Sequence, residues 1–299
     1  MESSTGLALD RASTTASYGR GLFFVGTAAV AWGTGGAVAT VLYRTSGLGP
    51  LAVSFWRLVC GILMLYGLRA LTRDRTPVRP RHALVLGVGL AIYQTAYYGS
   101  IAYAGLAVGT VVTLGACPVV IALAARVVLG EALTVARAAY IGAALAGLVP
   151  LVGSAGTAGE NPLLGAAFGV LSAAGYAVVT IYSRRTGGDL SSVTAAAFVV
   201  AALCVAPLAA WEGLLPAASA VAVTGAWLLY LGAVPTALAY RLFFAGVTAV
   251  PATVTAVVTL LEPVAGVLIA VGLLGERLTA LAAAGAGLML AAVAGLSRR

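Results

Sequence analysis

Long apolar runs alternate with short polar gaps along this chain. Ten runs, each near the twenty or so residues that a helix needs to cross a bilayer, fall at 21–43, 51–71, 83–104, 108–129, 133–153, 163–184, 191–212, 222–244, 251–273 and 278–297. The gaps carry helix breakers, as in "RTSGLGP", "TRDRTPVRPRH", "AGTAGENP" and "RRTGGD", where Gly and Pro interrupt the helical pattern. Only "AYAGLAVGTVV", between the third and fourth runs, scarcely interrupts it. The first twenty residues, MESSTGLALDRASTTASYGR, are polar and Ser/Thr-rich. They lack the apolar core of a signal peptide and read as a flexible cytoplasmic tail over 1–20.

The runs repeat. "CPVVIALAARVVLGEALT" at 117–134 matches "EPVAGVLIAVGLLGERLT" at 262–279, pairing Pro118 with Pro263, Gly130 with Gly275, Glu131 with Glu276, Leu133 with Leu278 and Thr134 with Thr279. The same offset of 145 residues continues to Gly142 and Gly287. The repeat unit therefore spans five runs, 21–155 and 163–297. An odd number of crossings makes the second copy enter from the opposite face, so the halves are inverted. The predicted fold is an all-α membrane protein of ten transmembrane helices in two inverted five-helix repeats, a build used by secondary transporters.

Composition and charge sharpen this. The 299 residues are 61% hydrophobic and 9% charged, far below the quarter or so that soluble domains carry. All 17 basic residues are arginine, so no phosphate-binding GK[ST] loop exists and an ATPase is excluded on that motif. A net charge of +8 invites a nucleic-acid reading, but the arginines sit in the gaps. With the N-terminus cytoplasmic, Arg11, Arg20, Arg69, Arg73, Arg75, Arg79, Arg81, Arg137, Arg184, Arg185, Arg298 and Arg299 fall inside, against Arg44 and Arg277 outside. That is the positive-inside pattern, with both termini inside. Cys60, Cys117 and Cys204 all lie in apolar runs, which gives no disulfide framework.

"AWGTGGAVA" (31–39) and "GPLAVSFWRLVCG" (49–61), with the two Pro-to-LGE segments, resemble the EamA-type transporters of the drug/metabolite transporter superfamily. The likeness covers residues 20–297. It implies ten helices in an inverted repeat and export of small metabolites such as amino acids, related compounds or toxic analogues. It also implies a central cavity lined mainly by the first, third, fourth, sixth, eighth and ninth spans, with the fifth and tenth peripheral. The all-arginine loops depart from a family that often uses lysine there.

Several polar groups lie inside the runs, where an ionisable side chain costs roughly 2.5–3.5 kcal/mol by insertion scales. Glu262 reads either as a proton-accepting or amine-binding carboxylate facing the cavity, or as a structural glutamate bonded within the bundle or paired with an arginine. Its counterpart is Cys117, so the repeat itself does not require a carboxylate. Pro263, like Pro118, frees a carbonyl one turn earlier, which is tolerated where neighbours or cavity water compensate. Arg57, six residues into the second span, either holds a substrate carboxylate, balances Glu262 or snorkels to the headgroups; the resemblance favours a structural or gating role. Arg241 reads as an interfacial anchor.

Trp32 falls mid-span among Gly33, Gly35 and Gly36, which permit close helix approach or a local break. Gln94 and Tyr98 share one helix face, and Tyr93 and Tyr97 another; Tyr103 suits the membrane interface. Tyr240 corresponds roughly to Tyr97 or Tyr98, and Tyr176 lies close to the equivalent of Trp32. Each of these is read either as a cavity contact or as helix packing. Thr255 and Thr259 lie on the helix face of Glu262 and either line it or satisfy their own backbone. Glu131 and Glu276 follow a helix-ending glycine and open the fifth and tenth spans, where a carboxylate suits the positive helix end; both read as structural.

The expected function is secondary export of small metabolites across a bacterial inner membrane, with a small-molecule substrate, the lipid bilayer and, as a coupling ion, protons as partners. An importer or bidirectional facilitator is the alternative within transport. A membrane enzyme is disfavoured because the sole histidine, His82, lies in a basic loop, and no acidic pair or metal-ligand spacing occupies a span. A scaffold fits poorly with an inverted repeat. No cofactor, metal or nucleic acid is expected, and the oligomeric state is left open.

Overall fold

A computed structural model describes the backbone of residues 2–73, 76–104, 106–152, 160–187, 190, 193–217, 221–274 and 280–297; within these, the side chains of 2–16, 37, 40, 44, 106–108, 151–152, 267, 270–271, 273–274, 282 and 297 are not described. The apolar runs are helices: α1 (Glu2–Thr45), α2 (Pro50–Leu71), α3 (Pro80–Ala104), α4 (Leu106–Val128), α5 (Val135–Val152), α6 (Pro162–Thr186), α7 (Thr194–Glu212), α8 (Val221–Gly232), α9 (Ala239–Val247), α10 (Ala252–Val258), α11 (Leu261–Leu274) and α12 (Ala280–Ser297). The α1 backbone is helical back to Glu2, through the stretch expected as a tail, and its apolar span begins at Ser17.

Local chemistry sets the helix ends. Pro50, Pro80 and Pro162 open α2, α3 and α6, where a missing N–H goes unnoticed. The Asn161 side chain accepts from the Leu164 amide at 3.1 Å to cap α6. Gly130, at φ +69°, follows the end of α4, a backbone conformation that favours glycine. Thr134 then accepts from the Arg137 amide at 3.3 Å to start α5.

Among the described residues, seven helical stretches are long and apolar enough to cross a membrane, and three shorter apolar helices, Val135–Pro150, Ala252–Gly266 and Ala283–Leu296, accompany them. Two runs expected as single spans are interrupted. The run 222–244 passes from α8 into α9 through a π turn at Ala233–Leu238 that contains Pro235. Proline cannot donate to the carbonyl four residues back, and the wider turn accommodates it. The run 251–273 breaks at Thr259–Leu260. Pro263 has no N–H for the Thr259 carbonyl, which instead accepts from the Glu262 amide at 3.0 Å. Its copy Pro118 sits inside an unbroken α4.

The two repeats interlock at glycines. The most extensive helix pair is α3 with α6, one from each half. A Cβ on Gly175 would lie 2.7 Å from the Tyr93 amide nitrogen and 2.9 Å from the Gly89 carbonyl, so only hydrogen fits there. On the other side, α1 packs on α9 and α11, and a Cβ on Gly33 would meet the Glu262 carbonyl at 2.5 Å. Helices α5 and α12 pair with each other. The outer surface is apolar: Leu63, Leu123, Leu203, Leu268 and Leu281 are all exposed, as suits lipid.

These contacts define two ends of the bundle. At the near end, where the span of α1 begins, Gly21 meets Gly246 and Ala249, and the His82 ring bonds the Tyr182 hydroxyl at 2.7 Å. At the far end, the Asn161 amide donates to the Tyr103 carbonyl at 3.0 Å and the Ala217 amide to the Ser46 carbonyl at 2.9 Å. Gly175→Val is expected to cost about 1–3 kcal/mol of overpacking, read as a lower unfolding temperature in detergent. Gly142→Ala, inside α5 where an added Cβ meets nothing within 4 Å, should raise stability by about 0.5–1 kcal/mol through helix propensity.

Candidate functional site

A cavity of about 500 Å³ lies between the repeats. Its walls come from Trp32, Gly35, Gly36, Ala39 and Tyr43 of α1, Pro50 and Arg57 of α2, and Tyr93, Gln94, Tyr97, Tyr98, Ile101 and Ala102 of α3. Leu114 and Cys117 of α4, Tyr176 of α6, Tyr240 of α9, and Thr259, Leu260 and Glu262 at the helix break complete it. Along α1 the lining runs from the middle of the helix to its far end, and along α3 it does the same. The cavity therefore opens toward the far end.

Its floor is aromatic. Trp32 packs on Tyr240 and Phe243, with ring centroids 5.0 and 5.4 Å apart. Tyr176 meets Tyr93 at 5.2 Å and Phe243 at 5.9 Å. Beyond this floor, toward the near end, Val25, Phe198, Phe244 and Val247 are fully buried. The cavity is closed on that side.

The polar walls are held in place. Ser54 donates to Gln94 Oε1 at 2.6 Å, and the Tyr97 hydroxyl lies 3.3 Å from the Thr110 hydroxyl. Arg57 and Glu262 are the two charged lining residues. They come from opposite repeats, and neither makes an ion pair with another described residue. Arg57 Nε and Trp32 Nε1 are buried without a hydrogen-bond partner among the described residues, and the Tyr176 hydroxyl lies beside Thr259. Buried polar atoms are nearly always partnered, so this cavity wall has bonding capacity that the protein leaves unused. A carboxylate, a guanidinium, an amide and several phenols around an apolar floor suit a small amphipathic ligand with both charged and apolar parts.

Of the residues singled out from the sequence, Glu262, Trp32, Gln94, Tyr97, Tyr98, Tyr176, Tyr240, Thr259 and Cys117 line this cavity, as does Arg57. Thr255 does not. It is fully buried in α10, before the break, and the break removes the continuous helix face that would have aligned it with Glu262. Pro118 and Pro263 shape α4 and α11 next to lining residues without reaching the cavity themselves. Glu131 does not serve the helix it precedes. It lies at the near end, where it accepts from the Ala252 amide at 2.9 Å and the Thr253 hydroxyl at 3.3 Å. It thereby caps α10 of the other repeat, because α5 already has Thr134. Glu276 lies outside the described residues.

Three features escaped the sequence. Tyr43, at the end of the first span, is not singled out by the sequence, yet it lines the cavity. Ser54 gave no signal, because its partner lies 40 residues away. The second span, which the resemblance does not place among the main wall helices, contributes Pro50 as well as Arg57.

Apolar helices in two matched halves around a polar cavity define a membrane transporter. The chain belongs to the EamA-like transporter family, which matches at residues 19–153 and again at 163–298. It is 28% identical over 283 residues to YwfM of Bacillus subtilis (strain 168), which bears the name uncharacterized transporter; the match covers 89% of this chain and 90% of that protein. A crystal structure of a protein superposes with a TM-score of 0.80 at 22% identity, over 93% of this chain and 98% of that one. This second likeness shows the fold alone.

Gly36 lines the cavity, and an added Cβ there meets nothing within 4 Å. Gly36→Leu should therefore fold normally while filling the cavity. A steric penalty of about 1.4 kcal/mol lowers ligand affinity tenfold, so a loss of about that size or more is expected, read by ligand-induced thermal shift and by flux in proteoliposomes.

Proposed function

We propose that this protein is a secondary transporter that exports small metabolites, amino acids or related compounds, across the bacterial inner membrane by alternating access. In this reading the α8–α9 and α10–α11 pairs each make one crossing, giving ten. Both termini are cytoplasmic, which makes the near end the cytoplasmic one and the cavity outward-open. The observation that carries the reading is the cavity itself, which lies between the repeats, opens at one end and is sealed at the other. Two inverted halves that rock about such a cavity expose it to each side in turn.

Substrate chemistry follows from the two charges. Arg57 suits a carboxylate and Glu262 an amine, while Trp32, Tyr93, Tyr176 and Tyr240 offer apolar surface to a side chain. Amino acids combine all three features. With no nucleotide-binding loop in the sequence, the substrate gradient or protons supply the energy, and Glu262 is the carboxylate available to carry a proton.

Purified protein in liposomes is expected to give saturable counterflow with some members of an amino-acid panel, tested with and without a pH gradient. Absence of flux across the panel would count against the exporter reading. Glu262→Gln is expected to abolish the response to the pH gradient. If it retains full, gradient-responsive transport, proton carriage by Glu262 is excluded.

A further inference from the structure

The near end holds a polar cluster that the cavity does not use. Glu131 lies in the connection between α4 and α5, in the first repeat. Its carboxylate accepts from the Ala252 amide and the Thr253 hydroxyl, at 2.9 and 3.3 Å, both in the first turn of α10 in the second repeat. Arg184, in the last turn of α6, places Nε 3.8 Å from Glu131 Oε1 and donates through Nη1 to the Thr248 carbonyl. One carboxylate and one guanidinium therefore tie together the α4–α5 connection, the end of α6 and the α9–α10 connection.

The position of the cluster gives it a role. It joins the two repeats at the end where the cavity is sealed. The helix it holds, α10, has only seven residues. It runs straight into Thr259 and Leu260, which line the cavity, and then to Glu262. In the alternating-access reading, opening of the near end carries the first repeat away from the start of α10, and these bonds break with that motion.

We propose that Glu131 and Arg184 form a clip that locks the near end of the transporter shut while its cavity is open at the far end. The proposal rests on the alternating-access reading above. A hydrogen bond to a charged group is among the stronger single contacts a protein makes, and it adds to the apolar seal formed by the buried Val25, Phe244 and Val247. Release of the clip frees α10, and with it the wall segment at Thr259–Leu260. The cavity and the near-end closure are thus linked through one short helix.

The test uses the full chain carrying Cys60→Ala and Cys204→Ala, which leaves Cys117 in the cavity as the reporting thiol. Sealed vesicles of known orientation are treated from one side with a membrane-impermeant methanethiosulfonate reagent. The parent should label from the far side. Glu131→Ala and, as an independent variant, Arg184→Gln should raise near-side labelling of Cys117 by about tenfold, the scale expected for loss of a charged hydrogen bond. Hydrogen exchange at the Ala252 amide, which donates to Glu131, reports directly whether the clip is broken.

Near-side labelling that stays at the parent level while exchange at Ala252 accelerates would overturn the proposal. A parent that moves no solute, but whose Cys117 becomes labelled from the near side when the clip is broken, would remove the export reading and leave the clip standing.

Discussion

A backbone amide or carbonyl in hydrocarbon has no water to bond, and an unpartnered one costs several kcal/mol. Most of this structure answers to that constraint. Among the described residues, the two interruptions within the apolar runs lie at or next to residues that line the cavity. The π turn at Ala233–Leu238 packs Pro235 on Gly35, a lining residue, and leads to Tyr240. The break at Thr259–Leu260 is itself part of the wall. Around that break the freed groups are accounted for, since Glu262 N bonds the Thr259 carbonyl and the Thr259 hydroxyl donates to the Ala256 carbonyl at 2.9 Å. Irregular backbone is kept where protein or cavity can satisfy it.

The halves match in sequence but differ where the chemistry differs. Pro118 bends no break into α4, whereas Pro263 follows one. Cys117 and Glu262 occupy equivalent positions, and both line the cavity. The carboxylate therefore breaks the symmetry of a site that two similar repeats enclose. Arg57 supplies the opposite charge from the other half. An inverted repeat gives a cavity two similar walls, and substitution on one wall gives the ligand a direction in which to bind.

Mobility and closure have the same origin. The repeats meet closely at Gly33, Gly89 and Gly175, where backbones touch without side chains between them. Small interfaces of this kind hold helices together in lipid by close contact, and smooth surfaces can slide. The near end adds directional bonds to that contact through Glu131 and Arg184. The far end has a simpler cross-repeat contact, with no guanidinium in it among the described residues: Glu212 of α7 accepts from the Ala52 amide of α2 at 2.7 Å and sits so close to Gly49 that a Cβ there would fall 2.2 Å from its carboxylate carbon. That staple spans the repeats beside an open mouth.

The spacing of apolar runs, the offset repeat and the placement of arginine were enough to read a helical membrane protein in two halves, because each depends on local composition and on bilayer thickness alone. The mid-span residues Trp32, Gln94, Tyr176, Tyr240 and Glu262 could be singled out for the same reason: polar and aromatic groups stand out in an apolar run. What each one meets was not legible. Whether Thr255 or Thr259 turns inward depends on a break set by Pro263 together with its neighbours. Ser54 finds Gln94, and Glu131 finds α10, only once distant segments are brought together. Periodicity encodes which face of a helix is buried; the partner across that face is decided by tertiary packing, since the same carboxylate can cap its own helix or another and the choice lies in where the chain returns.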